Sequence, residues 1–310
     1  MPLAPAARTM IDAMASLEQP PIWEVPLEQT RAMSNSALGA EERVPVASVE
    51  DRTIPGPAGE IPVRVYTPDA PAPRPLVAFF HGGGFVYCSL ETHDNTCRRL
   101  ANATGATVVS VDYRLAPEHA YPAAADDCLA ATRWVHDHAG ELGGDPDRLV
   151  VAGDSAGGNL AAVTALRARD EGGPALVAQL LVYPVIDAAC GTPSFAENGT
   201  GYFLEATSMR WFWEQYLAGA DGSHPHASPC NAADLSGLPP AVVVTAEFDI
   251  LRDEGERYAE LLRAAGVDAR THRYDGMIHG FFSIPMLFPE ADAANAALAD
   301  GLAQALTARA

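Results

Sequence analysis

Six strand-like segments, each followed by a helical pattern, constrain this chain more than any other feature: LVAFF (76–80), ATVVSVD (106–112), LVVAG (149–153), LVAQLLVYP (176–184), AVVVTA (241–246) and DARTHRY (268–274). Most are continuous runs of Val, Leu and Ala. A strand that is apolar on both sides must be covered on both faces, and a helix between strands supplies the crossover that parallel pairing needs. The pattern predicts an α/β fold with a mostly parallel central sheet and helices on both faces. Ahead of it, VASVEDRTI and IPVRVYTP alternate around GPAG, as two paired strands joined by a turn do.

The helices between the strands carry their own signatures. Cys128, Ala131, Thr132 and Val135 fall on one stripe, with Pro122 ahead of them and Asp126 and Asp127 in the first turn. Tyr258, Leu261, Leu262 and Ala265 form a second stripe that ends at Gly266, and the alanine-rich tail from 290 reads as one closing helix. Two stretches break the rhythm. Residues 1–45 show helical spacing interrupted by prolines, and 185–240 lack a clear strand but concentrate aromatics in GYFLEATSMRWFWEQYL. That aromatic segment suits either plain helix core or the wall of an apolar pocket under a lid.

Charge excludes several functions. Forty acidic residues face twenty basic ones, a net charge of −20 that repels nucleic acid and anionic membranes. Every basic residue is arginine. Without lysine there is no Walker phosphate loop, no pyridoxal Schiff base, no Ser-Lys dyad and no lysine aldolase chemistry. No run of about 18 apolar residues is present, and Asp12 and Glu18 interrupt the N-terminal apolar stretch, which does not read as a signal peptide. The five cysteines (Cys88, Cys97, Cys128, Cys190 and Cys230) contain no CxxC and read as free, mostly buried thiols. A cytoplasmic protein is expected, with no metal and no cofactor.

The chemistry concentrates at the sheet's strand ends. Gly153-Asp154-Ser155-Ala156-Gly157 turns from the strand at 149–152 into a helix over 159–169. A corner that tight crowds any neighbouring Cβ, so glycines flank it and the serine stands exposed at the helix N-terminus, where a nucleophile would sit. His81-Gly82-Gly83-Gly84-Phe85 follows the strand LVAFF. Three consecutive glycines weaken any regular element but leave backbone N–H groups free to approach a ligand, as the oxyanion of acyl transfer requires. Glu247, Asp249, Asp253 and Glu254 are candidate acids where AVVVTAEFD leaves its strand; Asp249 lies just past the strand's end, whereas Asp253 and Glu254 suit the dipole of the next helix. Among the histidines, His279 in DGMIHGFF follows a strand in a glycine-flanked loop. The chain order serine, acid, histidine is that of α/β-hydrolases.

These motifs together resemble the bacterial hormone-sensitive-lipase family of esterases, a capped branch of the α/β-hydrolase fold. The likeness runs from about residue 45 to 290 through HGGGF (81–85), VDYRLAPEHAYPAAADD (111–127), GDSAGGNLA (153–161), SGLPPAVVVTAEFDILRDEG (236–255) and DGMIHGFF (275–282). The resemblance implies Ser155 as nucleophile, His279 as base, Asp249 as acid, and Gly83, Gly84 and Ala156 as oxyanion-hole donors. It implies a helical cap from 1–45 and 185–218 over a core at 46–184 and 219–310, with Phe85, Asp154, Tyr202, Phe203 and Trp211 as candidate pocket residues. The sequence departs from the family at Asp249-Ile250-Leu251, where Asp-Pro-Leu is usual.

The implied activity is hydrolysis of short- to medium-chain acyl esters through an acyl-enzyme. An amidase or peptidase on the same three residues is the rival reading, and a non-catalytic small-molecule receptor on the same fold is a third. The expected partners are a small-molecule ester and a second copy in a homodimer, with neither nucleic acid nor membrane.

Overall fold

The computed structural model describes residues 2–17, 20–38 and 42–308. Among these residues eight strands form one sheet: β1 (Ser48–Gly56), β2 (Gly59–Thr67), β3 (Arg74–Phe80), β4 (Thr107–Val111), β5 (Gly144–Asp154), β6 (Leu176–Val182), β7 (Ala241–Phe248) and β8 (Ala269–Ile278). Their spatial order is β1-β2-β4-β3-β5-β6-β7-β8. β1 and β2 pair antiparallel with each other, β2 pairs antiparallel with β4, and every later pairing is parallel. The mostly parallel sheet expected from the apolar runs is therefore present, with an antiparallel pair at one edge. That β4 lies between β2 and β3 is a crossover that no local pattern reveals.

Successive side chains of a strand point to opposite faces, and here both faces are apolar. Leu76, Ala78 and Phe80 of β3 face one core cluster, whereas Val77 and Phe79 face the other. The first cluster is covered by α4 (Ala123–Asp137), α5 (Ala156–Asp170) and α8 (Arg252–Ala264); the second by α3 (Asp94–Thr104) and the closing helix α9 (Glu290–Thr307). The predicted stripes behave accordingly: Cys128, Ala131, Thr132 and Val135 are buried, as are Tyr258 and Leu262.

The remaining helices lie in the two irregular stretches. α1 (Pro5–Ser16) and α2 (Leu27–Leu38) belong to the N-terminal segment, and α6 (Pro193–Glu197) and α7 (Ala206–Leu217) to the segment after β6. Residues 1, 18–19 and 39–41 of the N-terminal expectation, and the last two residues of the tail, lie outside the described residues. Arg31 on α2 ties that segment to the core. Its guanidinium donates to the Val86 carbonyl at 2.9 Å and the Ala116 carbonyl at 3.0 Å, and forks onto Glu118 with two bonds of 2.8 Å. Among the described residues no helix is long and apolar enough to cross a membrane. All five cysteines are free; Cys88, Cys97 and Cys128 are buried and the other two partly so.

Candidate active site

The C-terminal ends of β3, β5, β7 and β8 converge on one place, as ligand sites of parallel sheets do. β5 ends at Asp154 and α5 begins at Ala156, so Ser155 alone makes the corner, with φ 55° and ψ −120°. A non-glycine residue in that region carries strain of about 1–3 kcal/mol. The strain holds because the corner has no slack. A Cβ at Gly157 would collide with the Phe80 carbonyl of β3, so α5 can cross the sheet this closely only with glycine there. Backbone bonds from Ser155 N–H to Val182 and from Val185 N–H to Ser155 lock the serine on both sides.

Three side chains from distant segments meet at this corner. Ser155 Oγ is 2.9 Å from His279 Nε2, and His279 Nδ1 is 2.7 Å from Asp249 Oδ2. Asp249 is 1% exposed, and Ser155 and His279 are each 8% exposed. The Tyr183 ring packs against the His279 imidazole with centroids 4.5 Å apart. β8 runs on through Ile278, further than the predicted 268–274, so His279 leaves directly from a strand end. Asp249 follows β7 after a shift in register between Ala246 and Phe248. Its loop lacks the family's proline but is stiffened otherwise: Leu251 N–H donates to Asp249 Oδ1 at 3.0 Å, and Asn198 donates to the Asp249 carbonyl at 3.1 Å.

The other candidate acids have separate employment. Glu247 accepts the N–H of Gly276, a β8 residue with φ 78°, at 2.7 Å. Asp253 and Glu254 do more than complement a helix dipole. Asp253 accepts the Ser194 N–H at 2.7 Å, and Glu254, 2% exposed, accepts the Ile186 N–H at 2.6 Å. They pin loops across the α8 N-terminus because those loops fold back onto its first turn.

The glycine loop lies beside the serine. Gly83 and Gly84 have φ of 107° and 59°, the region that side chains avoid. Gly83's carbonyl accepts the Val86 and Tyr87 N–H groups at 3.0 and 3.1 Å, which folds the loop back on itself. The ring of Phe212 on α7 lies against Gly84, where a Cβ would meet it at 2.5 Å. Ala156 opens α5, whose first-turn N–H groups have no partner inside the helix.

Two of the pocket candidates are buried with other partners. Phe85 is fully buried and stacks on Tyr216 at 3.9 Å, with Trp213 behind it, so it is core between the glycine loop and α7. Asp154 is turned under the glycine loop: Oδ1 accepts the Gly82 N–H at 3.0 Å and Oδ2 pairs with His93 Nε2 at 3.1 Å. Burial by itself would raise the Asp154 carboxyl, but His93, through charge and hydrogen bond, outweighs it with help from His81 and His279, and holds it below the usual range. Tyr202 stacks on Phe248 at 5.1 Å, Phe203 is 38% exposed with its ring against Gly280, and Trp211 is half-buried against Phe212. Sequence reasoning did not single out His93, Tyr183 or the Phe212 contact. His93 and Tyr183 carried one signal, a histidine or aromatic beside the end of a helix or strand; Phe212 lies in mid-helix and carried none.

The fold and this geometry agree with a family model for the alpha/beta hydrolase fold, which matches residues 77–283. The chain belongs to the α/β-hydrolase family. It is 48% identical over 256 residues to esterase LipI of Mycobacterium tuberculosis, covering 81% of this chain and 80% of that protein. It is 47% identical over 272 residues to carboxylesterase NlhH of the same species, covering 86% and 85%. The structure of a hyperthermophilic esterase from Pyrobaculum calidifontis superposes with a TM-score of 0.92 at 46% identity, over 97% of this chain and 98% of that one. The resemblance to bacterial hormone-sensitive-lipase esterases noted in the sequence thus stands within this α/β-hydrolase. Among its described residues no group of three or more His, Cys, Asp or Glu side chains could hold a metal ion.

Proposed function

We propose that this α/β-hydrolase is a serine carboxylesterase acting on short- to medium-chain acyl esters, with Ser155 as nucleophile, His279 as general base and Asp249 as the acid that orients it. The observation that carries the reading is the unbroken line of hydrogen bonds from Ser155 Oγ through both ring nitrogens of His279 to Asp249. His279 Nε2 takes the serine proton as Oγ attacks the ester carbonyl, while Asp249 holds the Nδ1–H tautomer and stabilises the imidazolium that forms. The carbonyl oxygen becomes an alkoxide, met by the N–H groups of Gly83, Gly84 and Ala156, each worth on the order of 3 kcal/mol. Imidazolium then protonates the leaving alcohol. Water, deprotonated by His279, attacks the acyl-enzyme and releases the carboxylic acid and Ser155.

In this reading residues 1–45 and 185–218 form a cap over the core, and Tyr202, Phe203 and Trp211 belong to the wall of an acyl pocket. Phe212, beside Trp211, lies on Gly84. The free thiols suit a reducing cytoplasm. The homodimer is part of the same proposal: β1 and β8 are edge strands, and an edge offers backbone groups for pairing. Turnover of p-nitrophenyl esters of graded acyl length, set beside matched anilides, tests the activity. An enzyme that cleaves the anilides at least as fast as the esters is an amidase, and the reading fails.

A further inference from the structure

Asp154 raises a physical question. A full negative charge beside Ser155 opposes the negative charge that develops on the substrate oxygen during attack. A neutral acceptor would satisfy the Gly82 N–H without that opposition. The chain nevertheless places a carboxylate there, and the glycine loop rests directly on it: a Cβ at Gly82 would stand 2.6 Å from Asp154 Oδ2. A charged acceptor binds an N–H more tightly than a neutral one, but a buried charge is tolerable only when it is paired.

His93 is the pair. Its side chain is 4% exposed and that of Asp154 6%, and Nε2 donates to Oδ2 at 3.1 Å. The other ring nitrogen is held too, with Nδ1 2.8 Å from Thr92 Oγ1. Thr92 is anchored in turn by a bond from the Ser89 N–H and contact with the Ser89 carbonyl, both 2.9 Å. His93 caps α3, where its carbonyl accepts the Cys97 N–H at 2.9 Å. The imidazole therefore reaches the carboxylate from a rigid helix end, fixed at both nitrogens.

We infer that His93 is a positioning residue: by gripping Asp154 it fixes the glycine loop with its N–H groups aimed at the oxyanion. This rests on the ester-hydrolase reading above. Removing His93 would free the Asp154 carboxylate from its clamp and so loosen Gly82. The loss should fall on the transition state and spare ground-state binding.

The test is steady-state kinetics of His93→Leu, His93→Gln and His93→Asn, together with inhibition by a trifluoromethyl ketone bearing the best acyl chain. The ketone forms a tetrahedral alkoxide on the serine and so needs the loop's donors. Losing an oxyanion donor outright costs about 10²–10³ in kcat, so a loosened loop should cost about 10- to 100-fold. His93→Leu should show that fall in kcat, with KM changed less than about threefold and ketone affinity weakened in proportion to kcat. His93→Gln, whose amide reaches Asp154, should recover most of it. Wild-type kcat, or unchanged ketone affinity, in folded His93→Leu overturns the inference. Where His93→Leu does not fold, the shorter Asn, which meets Thr92 but not Asp154, decides against Gln: equal kcat in the two overturns it. Labelling of wild-type Ser155 by an organophosphate separates this inference from the parent reading. A labelled Ser155 with an insensitive His93 rejects only the positioning role, and no label on Ser155 rejects the esterase mechanism itself.

Discussion

The Ser155 hydroxyl lies 2.9 Å from His279 Nε2, although 124 residues separate them in the chain. Neither side chain adjusts freely to make that contact. Ser155 is held at a strained corner between β5 and α5, and His279 leaves the end of β8 against the ring of Tyr183. Such preorganisation is what a nucleophile and its base require, since bringing them together in the transition state then costs little.

If Ser155 is the nucleophile, Ser155→Ala should fold normally and lose about three or more orders of magnitude in kcat. A fluorophosphonate should label Ser155 alone, as read by peptide mass spectrometry. Label on another serine, or a fully active alanine variant, would refute the assignment.

The acid can be tested against its neighbours. Asp249→Asn should reduce kcat by about 10⁴-fold, because an amide favours the wrong imidazole tautomer. Glu247→Gln and Asp253→Asn should keep kcat within a few-fold and act on stability, since their carboxylates accept the backbone N–H groups of Gly276 and Ser194. A dead Glu247→Gln with an active Asp249→Asn would exchange the two roles.

Acid should destabilise the protein through His81. Burial, with repulsion from His93 second, pushes its imidazole down to about 3. The unfolded chain takes up that proton near pH 6.5 and the folded one does not, so the stability is whole above about 6.5. It falls by up to about 1.4 kcal/mol for each pH unit between there and pH 3. His81→Asn can still donate to the Gly82 carbonyl, which His81 Nδ1 meets at 2.7 Å. Urea unfolding at pH 7 and pH 5 should therefore show a smaller pH slope in the variant. An identical slope would place the acid sensitivity elsewhere.

The elbow itself sets a limit on substitution. Gly157→Ala would force a methyl group into the Phe80 carbonyl, which belongs to β3 and cannot move without the sheet. The variant should accumulate poorly or melt far below wild type. A stable, active Gly157→Ala would show that α5 can shift along the sheet.

Acyl length should set the activity profile. Each methylene that enters the pocket gains about 0.8 kcal/mol of burial, roughly fourfold in kcat/KM, until the pocket ends. The family likeness implies an optimum between about C2 and C8 and a steep fall beyond. A net charge of −20 gives no attraction to an anionic lipid surface, so emulsified long-chain triglycerides should be poor substrates. An optimum at C16, or a jump in rate once substrate exceeds its solubility, would mark a lipase instead.

Local pattern determined much of this molecule. The apolar runs specify strands buried on both faces, and the runs found in the sheet are those legible in the chain, with ends moved by a few residues. The Gly-x-Ser-x-Gly corner and the HGGG loop were legible for the same reason: glycine is demanded by the backbone of its immediate neighbours. Contacts across the chain were not legible. Four carboxylates crowd the end of β7, and a register shift after Ala246 is what sends Asp249, rather than Glu247, toward His279. Phe85 was a pocket candidate by resemblance, but the packing of α7 over the glycine loop puts Tyr216 on its face. Asp154 was a pocket candidate by resemblance. Its side chain points the other way, since the strand's alternation and the position of α3 bring His93 and Gly82 to meet it. Sequence sets what each segment prefers to be, because those preferences act over a few bonds. Which segments meet is decided by strand order and register, and these minimise the energy of the whole core.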